Sequence, residues 1–478
     1  MSRLPRPTLD GVRLPSRKVM AVLALVFLGF GVLIGRAARN SVQQAALADA
    51  TPPVKVIVAP HPAAPAPAAA VPEPEHAPAA EEAPTPAAPA PVAPVHTSAG
   101  SPPAPAHAPA PKPAPKEAPK TLPPIKHVFV VVLSDQPYAA VFGPESKAPY
   151  LVRQLEPKGA LLSRYDAVAH QELPDEIALI SGQGPTPETA ADCPSYTPIE
   201  PASTGADGQV LGTGCVYPAS TPTLPGELEV HHLRWRAYLE GMAEGSASVP
   251  SCAHPALGQP DPTTPPAAAE QGAGAPSPSA SGPYATYRNP FAYFQALTAS
   301  GACAGAEGGI GQLKSDLAKP AKTPSLSYVV PGLCHNAASS PCAPGAAAGP
   351  ADAESFLRRV VPEILASSAY KQSGLLVITT DEAPPEGAFG DSSSCCGQPR
   401  FPNMGALGLG PGGQPRGGGA VGALLLSPFI KGPASSVEAY NHFSLLATIE
   451  DALGVKRLGY AGLSTVTPFA PSIFNARG

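Results

Sequence analysis

Charge is scarce in this 478-residue chain: Asp, Glu, Lys and Arg make up 14% of it, the formal net charge is −5, and aromatics reach only 6%. A nucleic-acid surface needs a basic stripe with aromatic side chains to stack on bases, so no nucleic-acid partner is expected. The eight cysteines contain no CxxC pair, which argues against a zinc cluster. Proline, by contrast, is abundant. With 67 of them, much of the chain is not packed core, and the folded part is smaller than the length implies.

Residues 19–35, "VMAVLALVFLGFGVLIG", form the one long apolar run near the start. Arg3, Arg6, Arg13, Arg17 and Lys18 precede it and only Arg36 and Arg39 follow closely, an asymmetry that keeps the N-terminus in the cytoplasm and sends the rest outward. The run is short for a spanning helix and slightly long for a signal-peptide core. "ALADA" at 46–50 offers small residues for cleavage but lies well beyond the run, so an uncleaved single-pass anchor in the cell membrane is the expectation, with a secreted product if cleavage occurs.

From 36 to 124 the chain reads as a disordered linker, almost wholly Pro and Ala from 51 onward. Such a composition lacks the apolar bulk to fold and favours extended polyproline II, at about 3.1 Å per residue. Fully extended, the 51–124 stretch alone would hold a domain about 200 Å from the bilayer. The expected organisation is therefore a basic cytoplasmic segment at 1–18, a transmembrane signal anchor at 19–35, a linker at 36–124 and a folded domain at 125–478.

All eight cysteines lie beyond the linker, at 193, 215, 252, 303, 334, 342, 395 and 396. In an exported chain an even count predicts disulfides. Neighbour pairing joins Cys193 to Cys215, Cys252 to Cys303 and Cys334 to Cys342. Cys395 and Cys396 are left as a vicinal pair or as partners elsewhere.

Within the folded region, "GLLVITTDEA" at 374–383 is an apolar, β-branched run that stops at Asp381 and Glu382, and His127 to Leu133 is a second such run ending in Ser134 and Asp135. Both have the composition of strands buried on two faces. "AVGALLLSPFI" predicts a third strand, "ADAESFLRRVVPEILASSAY" and "YNHFSLLATIEDALG" predict helices, and Pro362 is expected to kink or restart the first of these. Strands alternating with helices indicate an α/β sandwich around a mainly parallel sheet. In such sheets the chemistry sits at the carboxyl ends of strands. Asp135, Asp381 and Glu382, with His442 opening the last helix, are a donor set suited to a divalent cation such as Mg, Ca, Mn or Zn. The plain alternative is a solvated strand end or a helix N-terminus, where acids are common.

The succession "HVFVVVLSDQPYAAVFG", "APYLVRQLEPKGALLSRYDAVAHQELPDEIALISGQ", "GLLVITTDEA" and "SPFIKGPASSVEAYNHFSLLATIEDALGV", with "RNPFAYF" and "DSSSCCG", resembles the bacterial phosphoesterases that include acid phosphatases and phospholipase C enzymes, within the alkaline phosphatase superfamily. The resemblance implies an α/β/α sandwich and metal-assisted hydrolysis of phosphate esters through a hydroxyl nucleophile. It assigns metal-binding roles to Asp381, Glu382 and His442 and matches His170 to a histidine of the site. Where the family has a metal-binding Glu-Asn pair, this chain has Ser134 and Asp135. Glu172 stands at the position of the hydroxyl nucleophile, and Asp175 stands at that of an Asn.

Two functions follow. The first is an extracytoplasmic phosphoesterase cleaving phosphate mono- or diesters, phospholipids among them, with a divalent metal held by Asp135, Asp381, Glu382 and His442 and with Ser134, His170 and Glu172 as its catalytic groups. The second is a relative without catalysis that binds a phosphorylated envelope component. Substitution at Glu172 separates them, because a carboxylate there would form an acyl phosphate or ligate a metal rather than attack as a hydroxyl does.

Overall fold

Parallel pairing of the two acid-ended runs sets the site. A computed structural model describes residues 121–243, 249–264, 283–339, 342, 346–386, 390–410, 413 and 415–476. The predicted anchor and linker therefore lie outside the described residues. Among those described, no helix is long and apolar enough to cross a membrane.

The main sheet has eight strands: β1 (His127–Leu133), β2 (Ala160–Leu162), β3 (Trp235–Leu239), β4 (Glu307–Gly308), β5 (Leu326–Val330), β6 (Gly374–Thr380), β7 (Ala423–Leu426) and β8 (Ala434–Ser436). Their spatial order is β8-β2-β7-β6-β1-β5-β3-β4. Only β7 runs against its neighbours, β2 and β6; the other pairs are parallel. The predicted third strand is thus real but reversed.

Alternate residues of the central strands feed opposite faces. Val128, Val130, Val132, Leu375 and Val377 pack into one apolar cluster with Leu173 and Ile177 of helix α1 (Glu172–Ser181) and with Leu445 and Ile449 of helix α4 (His442–Leu453). Phe129, Val131, Leu133, Leu376 and Ile378 pack on the other side against Leu313 of α2 (Ile310–Leu317) and Phe356, Val360 and Ile364 of α3 (Pro350–Ala366). Helices therefore cover both faces of a mostly parallel sheet, the α/β/α sandwich expected. Helix α3 continues through Pro362 rather than restarting there. Proline removes one main-chain donor near the end of this helix, and its apolar stripe packs on both sides of that point.

All eight cysteines are oxidised: Cys193–Cys215, Cys252–Cys303, Cys334–Cys342 and the vicinal pair Cys395–Cys396. The three neighbour pairings match the sequence reading, and the open question over the last two resolves to a bond between them.

Candidate functional site: a buried carboxylate centre around Arg288

In the parallel register Leu133 of β1 lies beside Thr380 of β6, so the chains leave the sheet together and bring Ser134 next to Asp381. Asp135 turns into the left-handed region, φ 46°, and its main-chain N–H donates to Asp381 Oδ1 at 2.9 Å. The same oxygen accepts the N–H of Glu382 at 2.8 Å. Asp381 is fully buried, and burial raises its pKa, as it does those of Glu382 and Asp135.

Helix α1 enters the same region. Gln171, at φ 71°, turns the chain so that Glu172 becomes the first helical residue. The buried Ser134 hydroxyl donates to Glu172 Oε1, so two of the three residues expected from sequence to be catalytic meet. His170 sits at the rim: Nδ1 approaches Glu382 Oε2 at 3.2 Å and the Ala383 carbonyl at 3.1 Å, while Nε2 lies 2.8 Å from the Ser392 hydroxyl. Burial lowers its pKa, favouring the neutral ring.

His442 begins α4 behind a capping box made by Asn441 and Ser444. Its Nε2 faces the main-chain carbonyl of Asp381 at 2.9 Å, and its Nδ1 faces the Tyr165 hydroxyl at 2.8 Å. A carbonyl can only accept, so Nε2 carries the proton and Nδ1 accepts from Tyr165. Burial pushes the His442 pKa down to about 4. Asp175 approaches the same Nε2 at 3.3 Å and accepts the main-chain N–H of Val168 at 2.7 Å.

The residue that sequence reasoning missed is Arg288. It follows Tyr287 in the short turn Thr286–Arg288, just before the aromatic segment Pro290–Tyr293. Phe291 in that segment stacks on Trp235 with ring centroids 4.9 Å apart and meets Tyr328 edge-on at 5.4 Å. That packing fixes the backbone from which Arg288 reaches the strand ends. The guanidinium is 2% exposed. Nη1 donates to Glu172 Oε2 and to Asp381 Oδ2, the latter at 3.2 Å, and Nη2 donates to the Val132 carbonyl at 3.1 Å. Glu176 lies 3.6 Å from Nη2; burial pushes its carboxyl up to about 8, and it accepts the Tyr328 hydroxyl at 3.0 Å.

Of the donor set expected for a divalent ion, Asp381 and His442 are engaged within the fold as arranged. Both oxygens of Asp381 and both of Glu172 are engaged, and one on each accepts from Arg288. Both ring nitrogens of His442 are used within the fold. Among the described residues, Cys252, Cys303 and Glu307 are the one trio of Cys, His, Asp or Glu ligand atoms converging within 4.8 Å, and those two cysteines are bonded to each other. Beside His170 a cavity of about 240 Å³ opens, lined by Gln171, Phe401, Met404, Leu407 and Arg416.

A mostly parallel sheet with helices on both faces and a polar centre at its strand ends defines the class: an α/β/α sandwich domain with its site at the carboxyl ends of the strands. Residues 125–456 match the Phosphoesterase family, and the chain belongs to it. Family membership fits a hydrolase of phosphate esters. No curated protein matches the chain. Among solved structures, it is similar to a protein in the alkaline phosphatase superfamily from Vibrio parahaemolyticus (10% identity, 74% of this chain and 72% of that one, TM-score 0.38). It is also similar to the lipoteichoic acid synthase LtaP from Listeria monocytogenes (9%, 71% and 75%, 0.36) and the phosphonate monoester hydrolase SpPMH from Silicibacter pomeroyi (11%, 74% and 77%, 0.36).

Proposed function

We propose that this domain recognises a phosphate-ester group on an envelope component outside the cell membrane and does not cleave it by metal-assisted attack. One observation carries the reading: Glu172, at the position where the family places its hydroxyl nucleophile, is held by Ser134 on one oxygen and Arg288 on the other. Each oxygen of this carboxylate already accepts one donor, and a carboxylate has no proton to lose as a hydroxyl does. The cavity beside His170 is the recognition site in this reading. Arg416 at its rim supplies charge for the ester anion, and Phe401, Met404 and Leu407 supply apolar wall for its organic part. Four disulfides support an extracytoplasmic setting, with the 19–35 segment as the membrane anchor.

A second reading rests on the Ser134 to Glu172 hydrogen bond, which has the form of a hydroxyl nucleophile with its base. It requires the fully buried Ser134 to become accessible to substrate. A screen of the purified protein against phosphate mono- and diesters, with and without Mg, Ca, Mn and Zn, separates the two. Calorimetric binding without turnover, weakened by Arg416→Ala, is the expected result. Turnover abolished by Ser134→Ala would establish the second reading instead.

A further inference from the structure

We infer that Arg288 is the resident cation of this centre: its guanidinium replaces a divalent ion between Glu172 and Asp381, so the domain keeps its carboxylate centre intact without metal. The inference stands whether the domain binds its ester or cleaves it.

Several carboxylates packed together need positive charge or protons to remain buried. Glu172, Glu176 and Asp381 converge on one guanidinium, and the Val132 carbonyl takes a further donor. Arginine suits the place because its charge is permanent and its planar fork meets two carboxylates at once. The surrounding acids push its pKa up still further against the opposing effect of burial. A metal ion would need oxygens at about 2.0–2.6 Å, and both oxygens of Glu172 and of Asp381 already accept a donor. Adding a second cation there would break those hydrogen bonds and set two positive charges side by side. A lysine would offer a point charge without the two-pronged geometry, so the assignment is to the guanidinium and not to positive charge in general.

Removing that guanidinium leaves Glu172, Asp381 and Glu176 facing an uncompensated space, which is the starting condition for a metal site. The test measures metal content by elemental analysis and melting temperature with EDTA or with Mg, Mn or Zn. It uses wild-type protein, Arg288→Ala, and the double variant Arg288→Met with Glu172→Gln. Wild-type protein is expected to purify without stoichiometric metal and to melt at the same temperature in EDTA and in each ion. Arg288→Ala is expected to melt lower in EDTA and to recover with a divalent ion, which it then retains. The double variant, lacking both the cation and one of its acids, should show a smaller recovery. Stoichiometric metal in the wild-type protein, or a wild-type melting temperature lowered by EDTA, overturns the inference even if Arg288→Ala does not fold. A folded Arg288→Ala protein with unchanged melting temperature and no affinity for metal overturns it equally.

Discussion

His442 gives its Nε2 proton to the main-chain carbonyl of Asp381 at 2.9 Å, not to the Asp381 carboxylate. The imidazole is therefore a brace between α4 and the end of β6, with Tyr165 closing the other side. His442→Ala would leave the Asp381 carbonyl and the Tyr165 hydroxyl buried without partners, along with a small void. The expected cost is about 2–4 kcal/mol. Urea unfolding checks it, and a loss well under 1 kcal/mol would show that water replaces the ring easily.

Glu172→Ser restores the hydroxyl expected at this position of the family, but it also removes a partner of the buried guanidinium. Breaking one side of such a pair costs about 3–5 kcal/mol, so the variant should melt well below the wild type. An unchanged melting temperature would mean that the Arg288–Glu172 contact contributes little to the fold.

Stability should fall as pH rises from about 5 to about 9. Burial pushes Glu307 up to about 8 and Glu450 up to about 9, both above the ordinary carboxyl value of 4.5. The folded chain therefore holds protons that the unfolded chain releases. The contribution is fully present below the ordinary carboxyl range and is lost as pH climbs through 8 to 9. Melting temperatures between pH 5 and 9 should decline across that window. Glu450→Gln, which cannot ionise, should flatten the decline; an identical profile in the variant would remove Glu450 as a source.

Thiol labelling of denatured, unreduced protein should find almost no free groups, since every cysteine is paired. Replacing Cys193 and Cys215 together by Ser should cost about 3 kcal/mol, because that bond closes a loop with a sequence separation of 22 residues in the unfolded chain. A full complement of reactive thiols in freshly isolated protein would contradict the oxidised state.

Protease added to intact cells should release a fragment beginning within 51–124 while the N-terminus stays protected. This follows from the basic residues before 19–35 and the Pro/Ala-rich stretch after it. A protected domain, or one shed near residue 50, would defeat the anchor proposal.

Strand ends were the most legible part of the site. A buried strand has a sharp compositional edge, so Ser134, Asp135, Asp381 and Glu382 could be placed at the sheet's carboxyl end from local pattern alone, and the parallel register of β1 and β6 then juxtaposes them. Parallel direction itself was only partly readable. "GALLLS" looks the same whichever way it runs, and β7 proved antiparallel. Arg288 escaped notice for a physical reason: its partners Glu172 and Asp381 lie 116 and 93 residues away. The one local clue was a cation set in the aromatic stretch "YRNPFAYF", where a buried arginine requires acids from elsewhere. His442 opens its helix as the sequence pattern indicates, but sequence does not say which way an imidazole points, and here its nitrogens face the Asp381 carbonyl and the Tyr165 hydroxyl.

The bond between Cys252 and Cys303 spans 51 positions of chain, including the Pro- and Ala-rich insertion at 260–283. A peptide bond hydrolysed anywhere between those cysteines would divide the polypeptide without dividing the molecule. The nicked protein would migrate as one species on a gel until a reductant was added, so an intact-looking band would be a poor witness to an intact backbone.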